Sequence, residues 1–139
     1  MTSPMSALSM NPAGRRSNMT RLTIAGLVTT AAGMLLQIAS GSMLYPSVTG
    51  PIVLLVTALV VAFVPGRWPA YVGLAVPVVL GVGAIVAAVM TGDFIEQLTD
   101  IGKPGLLVGS ILHVVGLIAA VAGAAGLIRG RQAAADGGR

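Results

Sequence analysis

Four long apolar stretches without an aspartate, glutamate, lysine or arginine constrain the fold of this chain more than any other feature of its sequence. About 20 apolar residues is the length at which an α-helix crosses the hydrocarbon core of a membrane. A helix suits that environment because it satisfies its own backbone hydrogen bonds. Charged residues make up only 9% of the 139 residues, whereas soluble domains carry about 25%. The sequence therefore excludes a water-soluble enzyme or binding domain and predicts an all-α integral membrane protein.

The apolar stretches divide the chain into a membrane domain and two tails. Residues 1–20 are polar and rich in Ser, Asn and Pro, which predicts a flexible cytoplasmic tail, and residues 129–139 form a second cytoplasmic tail. Between them, residues 21–128 are expected to form an antiparallel bundle of four transmembrane helices, at about residues 22–44, 48–64, 69–90 and 104–128. A cleavable signal peptide is the competing interpretation of the first span. Its apolar region, however, is longer than the roughly 7–15 residues that such signals use.

The distribution of basic residues predicts the orientation of this bundle. With four spans, both tails and the turn at Arg67 share one side of the membrane, and that side carries seven arginines. The other side carries Lys103 as its one basic residue. Because basic residues concentrate in cytoplasmic loops, we expect both termini in the cytoplasm. The richness in Ala, Gly, Val and Arg is typical of a bacterial source, so the expected location is the bacterial plasma membrane. The positive charge thus reflects topology, and no nucleic-acid partner is expected.

The aromatic residues mark the same span boundaries. Each lies within about one helical turn of a predicted span end: Tyr45, Phe63, Trp68, Tyr71 and Phe94. Aromatic side chains concentrate at the two interfaces between membrane and water. Two independent signals therefore place the spans in the same positions.

The loop between the third and fourth spans has a helical pattern of its own. Asp93 followed by Glu96 has the spacing of a capping box in its aspartate form. Apolar residues then recur at helical spacing, and Gly102 ends the segment. We expect residues 94–101 to form a short amphipathic helix on the membrane surface. Asp93, Glu96 and Asp100 would form its acidic, solvated face.

Little in the predicted spans could carry out chemistry. All four acidic residues lie in the loop or the tail, whereas proton-coupled transport usually needs a titratable group at membrane depth. The chain has no cysteine, which excludes thiolate metal sites and disulfides. A single histidine cannot supply bis-histidine haem ligation, and the span centres lack the aromatic residues that usually line cofactor pockets. We therefore expect no catalytic residue, no metal and no cofactor, and we do not expect an enzyme.

His113 is the one ionisable side chain at membrane depth. Such a residue is a candidate functional group by default. Counting along the helices places Gln37 and Thr57 at a similar depth, with Ser110 one turn away on the same helix. These four residues define a candidate intramembrane polar site. The interpretation that we favour is structural, with a neutral imidazole hydrogen-bonded between two helices.

Small residues form a stripe on the helix that carries His113. Steps of three and four residues connect Gly105, Gly109, Gly116, Ala120 and Gly123. Such stripes allow two helices to approach closely in lipid, where close packing drives association. We expect this stripe to be a helix-packing face.

These features favour an accessory or assembly subunit of a larger membrane complex that acts through helix packing. Its expected partners are membrane lipid and either other integral membrane subunits or further copies of the chain. On this hypothesis Gly109→Leu or Gly116→Leu disrupts association. The alternative is a small oligomeric transporter, channel or lipid-binding module that uses the polar site around His113 and Gln37.

Overall fold

The computed structural model of the protein describes residues 12–41, 49–92 and 102–138. Over these residues the fold is entirely helical, which confirms the predicted class. The helices are α1 (Pro12–Ala39), α2 (Thr49–Phe63), α3 (Trp68–Thr91) and α4 (Pro104–Asp136). Three of them contain segments long and apolar enough to cross a membrane, namely Gly14–Ala39, Trp68–Met90 and Pro104–Asp136. The predicted surface helix at 94–101, with Asp93, Glu96 and Asp100, lies outside the described residues.

The first and last helices extend beyond the predicted spans. α1 begins at Pro12, within the region that the sequence predicts to be a tail, and proline suits the first turn because its missing N–H needs no partner there. α4 has 33 residues, or roughly 50 Å at 1.5 Å per residue, which exceeds a membrane core of about 30 Å. Its last turns contain Ala133, Ala134 and Ala135, which favour helix without any burial. Both helices therefore continue where the apolar pattern stops.

α2 is the shortest of the four described helices, and a short turn connects it to α3. Its 15 residues cover roughly 22 Å, less than the thickness of a membrane core. The turn that follows includes Gly66 with a φ of 123°, a conformation that favours glycine because it has no Cβ atom. Pro69 then lies in the first turn of α3. The four residues between Phe63 and Trp68 thus form a tight connection.

α1 and α4 form the central pair of the fold. α1 packs against α2, α4 packs against α3, and α2 and α3 contact each other. Ser40 lies beside Gly105 at one end of the central pair, and Met19 lies beside Gly126 at the other end. The helices α1 and α4 are therefore antiparallel. The buried core is made of Leu27, Ala31, Met34, Leu54, Ala58, Val61 and Ala120.

Candidate functional site

The small-residue stripe of α4 faces α1 along most of its length. The facing pairs are Gly105 with Ser40, Gly109 with Gln37, Gly116 with Thr30 and Gly123 with Thr23. In the last three pairs, successive residues are seven positions apart on α4 and also seven positions apart on α1. A seven-residue repeat keeps the same side of each helix in contact with its partner when the two helices form a left-handed supercoil. The predicted packing face is therefore occupied within the chain itself.

At Gly116 and Gly123 the two backbones approach so closely that only glycine fits at these positions of α4. A methyl group added at Gly116 would lie 2.5 Å from the backbone nitrogen of Thr30 and 2.7 Å from the carbonyl oxygen of Gly26. One added at Gly123 would lie 2.7 Å from the backbone nitrogen of Thr23. These neighbours are backbone atoms and cannot rotate away. Any side chain at these positions would have to push the helices apart.

α1 has a complementary pair of glycines that the sequence analysis did not single out. A methyl group at Gly33 would lie 2.6 Å from the backbone nitrogen of His113, and one at Gly26 would overlap the backbone of Ala120. Gly26 and Gly33 are seven residues apart, as are the glycines that face them across the contact. The matching seven-residue spacing on the two helices was the signal that could have identified them.

The hydroxyl groups at this contact are bonded within their own helices. Thr23 donates to the carbonyl oxygen of Met19 at 2.9 Å, and Thr30 donates to that of Gly26 at 2.8 Å. Ser40 donates likewise to Leu36 at 2.8 Å. A bond to the preceding turn removes the cost of placing a hydroxyl group in an apolar environment. Threonine and serine can therefore lie against glycine inside a membrane.

The structure brings two residues of the predicted polar site into direct contact. The side-chain nitrogen of Gln37 donates to the hydroxyl oxygen of Ser110 at 3.2 Å, across the α1–α4 contact. Ser110 in turn donates to the carbonyl oxygen of Leu106 at 2.8 Å. His113 is buried one turn further along α4, with its backbone against Gly33. Thr57 is buried on α2, where its hydroxyl group donates to the carbonyl oxygen of Val53 at 2.7 Å.

Arginines from three segments meet at one end of the molecule. The guanidinium Nη1 of Arg131, near the end of α4, donates to the carbonyl oxygen of Arg67 in the α2–α3 turn at 3.0 Å. Arg16, in the first turns of α1, lines the same open recess. The start of α1, the α2–α3 turn and the end of α4 therefore lie together.

Neither a metal centre nor a relative indicates an activity. In the part of the chain that the structure describes, no three His, Cys, Asp or Glu side chains are grouped so that they could hold a metal ion. The chain matches no protein-family model, no curated protein and no solved structure.

Proposed function

We propose that this protein is an accessory or assembly subunit of a larger complex in the bacterial plasma membrane, without enzymatic activity of its own. The observation that carries the proposal is the contrast between a sealed inner contact and an uncovered outer helix. The glycine, hydroxyl and amide groups of the α1–α4 contact are engaged with each other or with their own helices. Of the three long helices, α3 has the least buried apolar segment and so leaves the largest share of its surface for a partner.

The outer surface of α3 has the features of a surface that packs against another helix. Only 22% of its most apolar segment is buried, against 44% for α1. Gly83 lies in the middle of this surface, and a methyl group placed there would meet no described atom within 4 Å. A glycine facing lipid costs helix stability and offers no side chain to pack. It becomes useful where the backbone of another helix approaches.

The same proposal places four antiparallel spans in the membrane, with both termini in the cytoplasm. The bond between Arg131 and Arg67, with Arg16 nearby, supports this topology because it gathers the start of α1, the end of α4 and the α2–α3 turn at one end of the molecule. That gathering requires α2 to pass from one end to the other. α2 does so as a short fourth span, with the arginine-rich end in the cytoplasm.

The experiment is purification of the tagged protein from its native membranes in mild detergent, with every co-eluting chain quantified by mass spectrometry. Co-elution with copies of this chain alone would favour the oligomeric alternative, whereas the accessory-subunit proposal predicts another membrane subunit at a fixed ratio. Gly83→Leu should release that partner without lowering thermal stability. Ala32→Leu adds similar bulk on the exposed side of α1 and should leave the complex intact. A wild-type protein that elutes alone as a monomer would contradict the proposal.

A small oligomeric transporter, channel or lipid-binding module is the second candidate. It is favoured by the hydrogen bond between the buried Gln37 and the half-buried Ser110, with the buried His113 one turn away. On this account, reconstituted protein should conduct a polar solute or ion across liposomes, and His113→Ala should change the flux. Flux that is absent, or unaffected by this substitution, would remove the candidate.

A further inference from the structure

The arginine-lined recess has the composition of an anion site. Its lining consists of Arg16, Gly66, Arg67, Arg131, Ala134 and Ala135, and its volume is about 360 Å³. The side chains come from three separate segments of the chain, so the fold itself gathers them. The two alanines and the glycine leave space between the guanidinium groups. The recess is therefore large enough for a phosphate group together with several water molecules.

Among residues 12–41, 49–92 and 102–138, no carboxylate lines this recess. Within the described part of the chain, Arg16, Arg67 and Tyr71 are the groups that act electrostatically on Arg131. Asp136 is the one acidic residue among residues 12–41, 49–92 and 102–138, and it is exposed at the end of α4. Like charges gathered around one space repel each other. An anion in that space converts the repulsion into attraction.

The aromatic residues beside the recess indicate its depth in the membrane. Trp68 and Tyr71 begin α3 and are about half exposed, at 55% and 54%. Tyr71 also lines a smaller adjoining recess together with Arg67 and Arg131. Exposed tryptophan and tyrosine side chains concentrate at the level of the lipid headgroups. The guanidinium groups are therefore at the level where lipid phosphates lie.

We propose that this recess binds the phosphate group of an anionic phospholipid, with Arg16, Arg67 and Arg131 as its ligands. Guanidinium groups bind phosphate through paired hydrogen bonds, which gives orientation as well as charge attraction. Basic pockets between membrane helices take anionic headgroups in this way. The site depends on the chain lying in a membrane and not on its having a partner subunit. It differs from the general excess of basic residues on one side, because it singles out three of the seven arginines.

The test measures lipid binding to the purified full-length protein by native mass spectrometry, with phosphatidylglycerol and phosphatidylcholine as probes. We expect phosphatidylglycerol to be retained preferentially. Arg131→Gln, Arg67→Gln and Arg16→Gln should each weaken its binding by about tenfold, the loss expected for one charge-assisted contact. Arg16→Gln leaves the bond between Arg131 and Arg67 in place, so it separates loss of a ligand from local unfolding.

Two neighbouring arginines provide matched controls. Arg15 and Arg129 are exposed beside Arg16 and Arg131, and neither is among the residues that line the recess. Arg15→Gln and Arg129→Gln remove the same charge and should weaken binding less than about twofold, as expected for exposed charges. Equal losses in all five variants would overturn the site in favour of general charge attraction. Equal retention of the two lipids would also overturn it.

A competition experiment distinguishes binding of a lipid from binding of a free anion. Inorganic phosphate, added in large excess over phosphatidylglycerol, should fail to displace the lipid because the acyl chains add apolar contacts that the ion lacks. Displacement by inorganic phosphate at concentrations comparable to that of the lipid would show a free-phosphate site and overturn the lipid assignment.

Discussion

The α1–α4 pair and α3 use the same residue type, glycine, in opposite ways. Between α1 and α4, the glycines lie against backbone atoms of the facing helix, as Gly116 does against Thr30. On α3, a methyl group added at Gly81 would lie 3.1 Å from the side chain of Leu117, and one added at Gly83 would meet no described atom within 4 Å. Lipid is as apolar as leucine, so burial alone does little to hold membrane helices together and close packing matters more. The central pair is therefore packed through close backbone contacts, whereas the glycines Gly81 and Gly83 of α3 make none with the described residues.

The largest expected effect comes from filling a glycine in the central contact. Gly116→Leu should lower the free energy of unfolding by at least about 3 kcal/mol, because its neighbours are backbone atoms that cannot move aside. Gly83→Leu is the matched control on α3. It should leave the free energy of unfolding unchanged or raise it by up to about 1 kcal/mol, since leucine favours helix more than glycine does. Steric-trap unfolding in bicelles measures both, and similar losses in the two variants would refute the contrast.

A smaller effect is expected from the side-chain packing of α2. Leu54 is fully buried in the core, whereas its neighbour Leu55 is 39% exposed. Leu54→Ala should lower the free energy of unfolding by about 2 kcal/mol. This is near the low end of the range for buried leucine in soluble proteins, because moving leucine between lipid and the protein core changes its free energy little. Leu55→Ala should cost less than about 0.5 kcal/mol. The same unfolding assay checks the pair, and a larger loss at Leu55 would show that α2 presents a different face to the core.

The smallest effect is expected from the hydrogen bond between Gln37 and Ser110. A double-mutant cycle with Gln37→Leu and Ser110→Ala should give a coupling free energy of about 0.6 kcal/mol, typical of hydrogen bonds between membrane helices. Additive losses would indicate that the two side chains do not act on each other. A much larger coupling free energy would indicate that this hydrogen bond, rather than the glycine packing, is the main interaction that stabilises the α1–α4 contact.

Much of the fold could be predicted because apolar length and charge are visible in sequence. The uncharged stretches indicated the helices, and Pro69 and Pro104 mark the starts of α3 and α4 within one residue. The extension of α1 back to Pro12 and of α4 to Asp136 was missed, because a polar sequence can continue a helix in water without an apolar period. Hydropathy predicts which residues lie in the membrane, but it does not predict where a helix ends outside the membrane.

The candidate site could be predicted on one helix only. The stripe from Gly105 to Gly123 was visible because small residues recur there at steps of three and four. Its partner was not, because choosing α1 required comparing the spacing on two helices and finding the shared interval of seven. The sequence-based hypothesis that Gly109→Leu and Gly116→Leu probe an external partner therefore needs revision. Both glycines face α1, so these variants report on the fold of the chain itself.

The most direct test of the central claim is an alanine scan of the glycines, with the free energy of unfolding measured in bicelles for each variant. The account predicts losses of about 2 kcal/mol or more at the close backbone contacts, which are Gly26, Gly33, Gly109, Gly116 and Gly123. It predicts a smaller loss at Gly81, whose neighbour is a flexible side chain, and none at Gly83. Equal effects at every position, or the largest loss on α3, would contradict the claim that glycine contacts between α1 and α4 hold the molecule together.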